Sequence, residues 1–295
     1  MDTAVIAGIS HKGGTGRSVT LANLAFQLHH KELSNVCLVD LDLASPTMGA
    51  ILQIRGLRQG QGTPGKRGNP KSVHDILVNR DDPTPAIVDV RTRSETIANK
   101  HRSDKQFGFI PGLAAGGDWA QKLQALRTSL RQLLERLRSS NYDFIVLDIR
   151  SGLSDVLEAI KHESSDLVDM LLVHTRWTPQ HIIGLDSLLK SERVTSFGPD
   201  KVRIIRTAYI DPKLEPKSIR SFVDGVEAEL QDQFEAIEWF GKPLSLKRNP
   251  FMGSIPMDPK LRWKETVLTS GDGASEPAYT VFGELASKIA SEVRS

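Results

Sequence analysis

The feature that most constrains this chain is a glycine-rich turn set between an apolar run and a helical pattern. Ala4-Val5-Ile6-Ala7-Gly8-Ile9 leads into Ser10-His11-Lys12-Gly13-Gly14-Thr15-Gly16-Arg17-Ser18, and Val19, Leu21, Ala22, Leu24, Ala25 and Leu28 follow at helical spacing. The order is strand, turn, helix. Glycine lets backbone N–H groups converge on one point because no Cβ blocks the approach. The helix that starts there adds the positive end of its dipole. Such a turn is a phosphate cradle, and Ser18 stands where a P-loop places a hydroxyl for Mg²⁺. The ordinary signature is not met, because His11 stands at its first glycine and Arg17 at its lysine.

The rest of the chain repeats the alternation of buried strand and helix. Asn35 to Asp42 is a second buried strand that ends in two acids, Asp40 and Asp42, and with the first strand and helix it forms a βαβ unit with a right-handed crossover. Further strands are expected at Gln106–Gly112, Tyr142–Asp148, Asp169–His174 and Lys201–Tyr209, with a weaker one at Ala86–Val90. Continuous apolar runs of this kind suit strands buried on both faces of a parallel sheet. Leucines from Leu123 to Leu137, with Trp119 before them, mark a long amphipathic helix. Other helices are expected from Val73, over Pro179–Lys190, from Glu215 to Phe240 in one piece, and around Val281–Val293. The expected class is α/β: a mostly parallel twisted sheet with helices on both faces, of P-loop NTPase type, in a single domain over residues 1–295. In such sheets ligands bind beyond the carboxyl ends of the strands. Asp40, Asp42 and Asp148 all stand at that end.

Four motifs in order carry a resemblance. They are Lys12-Gly13-Gly14-Thr15-Gly16, the Asp40-Leu41-Asp42 strand end, Asp148 with Gly152 after a run of four apolar residues, and Ile255-Pro256-Met257-Asp258. Together they resemble the ParA/MinD family of deviant P-loop ATPases, whose turn usually reads Lys-Gly-Gly-x-Gly-Lys-Ser/Thr. The resemblance implies ATP and Mg²⁺ as ligands, with Gly13, Gly14, Thr15, Gly16, Arg17, Ser18 and Val19 around the phosphates. It implies that Lys12 reaches the nucleotide of a second copy and that Asp42 orients the attacking water. It places Ser18, Asp42 and Asp148 near the metal, partly through water. It makes Asp40, Asp42, Asp148 and Gly152 the switch region that senses the γ-phosphate. Thr207 and Pro256 fall where the family frames the base, and Thr207 replaces the usual asparagine. Lys12, Asp42 and Arg17 are thus the candidate catalytic set. Arg17 is the chief departure: arginine keeps the charge but is longer and planar, so binding is expected more firmly than rapid turnover.

Composition narrows the function classes. A net charge of +2 gives no global case for nucleic acid or membrane. Cys37 is the only cysteine, so cysteine-pair metal clusters within one chain are excluded and a reducing cytoplasm is expected. Neither a signal-peptide pattern nor a membrane-length apolar run is visible, and the last helix lacks the basic amphipathic face of a membrane anchor. Local clusters exist at about 55–71, where Arg55, Arg58, Lys66, Arg67 and Lys71 stand without an acid, and at about 91–105. These are either solvated surface loops or a patch for duplex DNA, and neither holds the aromatics that stack on single strands.

Three functions remain. The first is a slow ATPase that dimerises with ATP and acts as a switch to position or partition DNA or a protein complex, through an unidentified protein partner. The second is a nucleotide-binding scaffold without hydrolysis. The third is a DNA-binding protein working through Arg55, Arg58, Lys66 and Arg67.

Overall fold

The computed structural model describes residues 2–43, 45–55, 57, 71–98, 104–112, 123–152, 154–210, 215–258, 260–261, 264–270 and 276–295. In chain order its elements are β1 (Ala4–Ser10), α1 (Arg17–His30), β2 (Val36–Leu41), α2 (Met48–Ile51), α3 (Val73–Asn79), β3 (Val88–Asp89), α4 (Val90–Arg93) and β4 (Phe107–Ile110). There follow α5 (Leu123–Arg138), β5 (Phe144–Ile149), α6 (Asp155–Glu163), β6 (Met170–Arg176), α7 (Pro179–Lys190), α8 (Glu192–Thr195) and β7 (Val202–Tyr209). The chain ends with α9 (Lys217–Glu235), β8 (Glu238–Trp239), β9 (Lys242–Pro243), β10 (Phe251–Pro256) and α10 (Glu276–Arg294).

Eight strands form one sheet in the order β10-β7-β6-β1-β5-β2-β4-β3. All its pairings are parallel except that of the short edge strand β3 with β4. The alternation of side chains explains why β1 is apolar throughout. Val5, Ala7 and Ile9 face one buried cluster, with Leu130, Leu134, Leu157, Ile182 and Leu188 of α5, α6 and α7. Ala4 and Ile6 face the other, with Leu21, Leu24 and Phe26 of α1 and Phe282 and Ile289 of α10. A strand covered on both faces has no polar side to show. The register sets Asp148 beside Gly8 on one neighbour and beside Asp40 on the other, so two acids meet at the carboxyl end of the sheet.

The structure corrects several expected elements. The helix expected to run to Phe240 stops at Glu235, and the chain folds back as a β8–β9 hairpin. Its turn residues Phe240 and Gly241 both have positive φ, 47° and 72°, the conformation that matches strand twist in a two-residue hairpin. Trp239 is buried, while Phe240 stands half exposed, edge-on to it. The weak strand Ala86–Val90 shrinks to Val88–Asp89, because Asp89 caps the next turn by accepting the Arg91 N–H. Strand β6 runs on to Arg176, two residues past its expected end. The helix with Leu130 and Leu134 is described from Leu123; Trp119 lies outside the described residues.

Candidate functional site

The turn after β1 folds as its glycines demand. Gly14 and Gly16 take φ of 78° and 75° in the left-handed region, where a side chain would be strained. Gly16 is the N-cap of α1 and has no side chain to satisfy the first-turn N–H groups, which stay available to an anion. Several elements brace the loop. Gly152, itself at φ 83°, donates its N–H to the Ser10 carbonyl at 2.7 Å. Arg176 Nη1 donates to the Gly14 carbonyl at 3.4 Å, and Thr207 Oγ1 donates to the Thr15 carbonyl. Gly184 of α7 lies against the His11 ring, so close that an added Cβ would sit 2.2 Å from Nδ1. Lys12 is exposed at the mouth of the loop, its Nζ 3.3 Å from Gln180 Oε1.

A cavity of about 540 Å³ opens beside the loop. Gly14, Thr15, Gly16 and Val19 line its phosphate end; Arg176, Thr207, Ile255, Pro256 and Asp258 line the rest. The segment 264–270 is tied to α1 here, since Asn23 donates to the Thr266 carbonyl and accepts the Leu268 N–H.

The acids stand on the other side of the loop. Asp148 is fully buried, and Asp40, also buried, accepts the N–H groups of Asp42 and Met48. Burial, and then the charge of Asp148, push the Asp40 carboxyl well above the usual range. Burial pushes Asp148 up as well, and Arg17 opposes it. Arg17 turns inward rather than toward the cavity. Its Nε lies 2.5 Å from Asp148 Oδ1, and its Nη2 lies 3.4 Å from both Asp42 Oδ2 and Ser18 Oγ. Only 7% of Arg17 is exposed and none of Asp148.

The family model described as the NUBPL iron-transfer P-loop NTPase, ParA, matches residues 2–80. Solved structures match over nearly the whole chain. A chain of the MinC:MinD cell division complex of Aquifex aeolicus is 17% identical with a TM-score of 0.63, over 97% of this chain and 96% of that one. The septum site-determining protein MinD of Pyrococcus horikoshii, complexed with Mg-ADP, is 19% identical with a TM-score of 0.57, over 97% and 96%. A plasmid partition protein of Borrelia burgdorferi bound to AMPPNP is 18% identical with a TM-score of 0.59, over 98% and 100%. At these identities the structural likeness is one of fold, and the family model matches the segment that holds the glycine loop. The chain has the fold of the MinD and ParA-type P-loop proteins.

Within this fold the expected site residues fall into groups. Lys12, Gly13, Gly14, Thr15, Gly16, Ser18 and Val19 form the loop and its helix start, with Pro256 across the cavity. Thr207 also lines the cavity, and its hydroxyl donates to the Thr15 carbonyl, which braces the loop. Ser18, Asp42 and Asp148 do converge, as a Mg²⁺ site requires. The donors, however, are already engaged. Asp42 Oδ1 accepts the Ser45 N–H, and the guanidinium takes Asp42 Oδ2, Ser18 Oγ and Asp148 Oδ1. Asp148 Oδ2 is buried and has no hydrogen-bond partner among the described residues. The residues as arranged do not fit Mg²⁺.

Sequence reasoning missed Arg176 because β6 was ended too early, and it missed Gly184 and Gly112, whose roles are contacts across the fold. An added Cβ at Gly112 would lie 2.9 Å from Asp40 Cγ. Of the basic residues expected to meet DNA, Arg55 is exposed; Arg58, Lys66 and Arg67 lie outside the described residues. In the second basic stretch, expected as loop, Arg91 sits in α4. It pairs with Asp89 at 3.0 Å and donates to the Lys105 carbonyl at 2.7 Å. Among the described residues no helix is long and apolar enough to cross a membrane.

Proposed function

We propose that the chain is an ATP-binding switch that pairs with a second copy of itself when ATP is bound and so positions DNA or a protein complex in the cytoplasm. The observation that carries this reading is the continuity of the loop with the cavity of about 540 Å³. An anion cradle with free helix N–H groups opens directly into a cleft of the size that holds a nucleoside. Lys12, exposed at the loop mouth, is the side chain that would cross to the partner copy's nucleotide. The likeness of the fold to MinD and to a plasmid partition protein supports the positioning role.

Hydrolysis is the weaker half of the reading. Asp42 would orient the attacking water, but its Oδ2 faces Arg17 at 3.4 Å, and Arg17 itself is turned to Asp148 rather than to the cavity. The chain therefore binds nucleotide and turns it over slowly, and the scaffold without hydrolysis is the limiting case. Sedimentation velocity of the protein alone, with ADP and with ATP, beside Lys12→Ala, tests the switch. A dimer seen with ATP and lost in the variant is expected. An unchanged mass with either nucleotide would sink it. Asp42→Ala then separates the two halves: an ATPase loses turnover and keeps the dimer.

A further inference from the structure

We propose that Arg17 takes the place of the divalent cation in this site, so that nucleotide is bound by the protein's own charges and without Mg²⁺. The inference rests on the nucleotide reading above and specifies its metal requirement.

The guanidinium lies among the candidate metal ligands. It belongs to the first residue of α1, and it reaches the three side chains a metal would use: Asp148 at 2.5 Å, and Asp42 and Ser18 at 3.4 Å. A planar guanidinium offers several donors in a fixed fork and is weakly hydrated, which suits a buried site between carboxylates. A compact Mg²⁺ would need near-octahedral oxygen ligands and several waters in the same place. Arg17 is only 7% exposed, so no solvent layer screens a second cation from the first.

The remaining charges suit an anion that brings no metal with it. Arg17 holds the acids by itself, so the phosphates are left to the loop and its flanking cations. Lys12 and Arg176 flank the same loop, where Arg176 touches the Gly14 carbonyl. The N-terminus of α1 adds its N–H groups from below. These groups together supply the positive charge that a bound metal supplies elsewhere.

Calorimetric titration of the full chain with ATP, once in excess Mg²⁺ and once in EDTA, tests the inference. The two dissociation constants are expected to agree within about threefold. A loss of about tenfold or more in EDTA would overturn it and leave the nucleotide reading intact. No binding in either buffer would overturn the nucleotide reading, and this inference with it. Arg17→Lys, which installs the family's usual residue, is expected to make binding depend on Mg²⁺ by about tenfold or more. A variant indifferent to the metal would also count against the proposal. Where that variant fails to fold, Mn²⁺ serves as a paramagnetic probe on the natural protein. Adding protein to Mn·ATP should release the free-ion signal, and retention of the ion in a ternary complex would refute the assignment.

Discussion

Arg17 Nε lies 2.5 Å from Asp148 Oδ1, and this buried ion pair joins the phosphate loop to the end of β5. Taking either charge away strands the other. Arg17→Ala should cost about 3–5 kcal/mol of stability, because Asp148 is left as an unpaired buried carboxylate. Adding Asp148→Asn to that variant should recover part of the loss. Urea denaturation of the three proteins reads the comparison, and a double variant no better than the single would show that the pair is not the source.

Gly184 and His11 are coupled by contact. An added Cβ at Gly184 would sit 2.2 Å from Nδ1 of His11, a side chain that can swing into solvent. Gly184→Ala should therefore leave global stability nearly unchanged but move the loop and weaken nucleotide binding. His11→Ala in the same protein should restore it, with a coupling of about 0.5–3 kcal/mol in a double-mutant cycle. Additive effects would mean that the contact does not set the loop.

Two glycines should respond to alanine with opposite signs. At Gly112 the new Cβ would meet Pro46 Cβ at 2.7 Å, Asp40 Cγ at 2.9 Å and the Asp40 carbonyl at 3.1 Å. Those neighbours cannot give way without shifting the switch acid, so Gly112→Ala should cost about 1–3 kcal/mol. Gly225 is exposed inside α9 and an added Cβ meets nothing within 4 Å. Gly225→Ala should stabilise by about 0.5–1 kcal/mol through helix propensity alone. Thermal melts of both variants against the natural chain decide the point.

His174 should make the fold sensitive to acid. It is buried in β6 beside Ser10 of β1, and both oxygens near its Nδ1, of Ile9 and Leu172 at 3.2 Å, are carbonyls, so Nδ1 carries the proton of the neutral ring. Burial is the main cause that pushes its pKa down from 6.5 to about 3. The unfolded chain takes up a proton as pH falls below 6.5 and the folded chain does not until about 3. This group's contribution is therefore constant above that window and declines through it, by up to about 1.4 kcal/mol per pH unit. Asp40 and Asp148 titrate with the opposite sign, so the measurement is the stability gap between the natural chain and His174→Gln. That gap should narrow from about pH 7.5 to about pH 5.5. A constant gap would contradict the assignment.

Much of the fold was legible because its signals are local. Val5, Ile6, Ala7 and Ile9 announce a strand covered on both faces, and the pattern after Ser18 announces a helix. The hairpin at 238–243 was not legible, since its turn places Phe240 at positive φ, a conformation its residue type does not advertise. The extent of β6 was misjudged for a related reason: Thr175 and Arg176 are polar, yet pairing with Arg206 and Thr207 of β7 keeps them in the sheet.

The sequence by itself determined the architecture and the place of the glycine loop, because such a loop between a buried strand and a helix can be built in few ways. It also determined which acids would stand at the sheet's carboxyl edge. Only the tertiary structure decided what those groups do to one another. Whether Arg17 faces a phosphate or Asp148 depends on residues 131 positions apart, and the Thr207 hydroxyl is committed to a carbonyl 192 positions away. Charge and hydrogen-bond partners in a buried site are set by distance in space, and strand order and register, not sequence spacing, fix that distance.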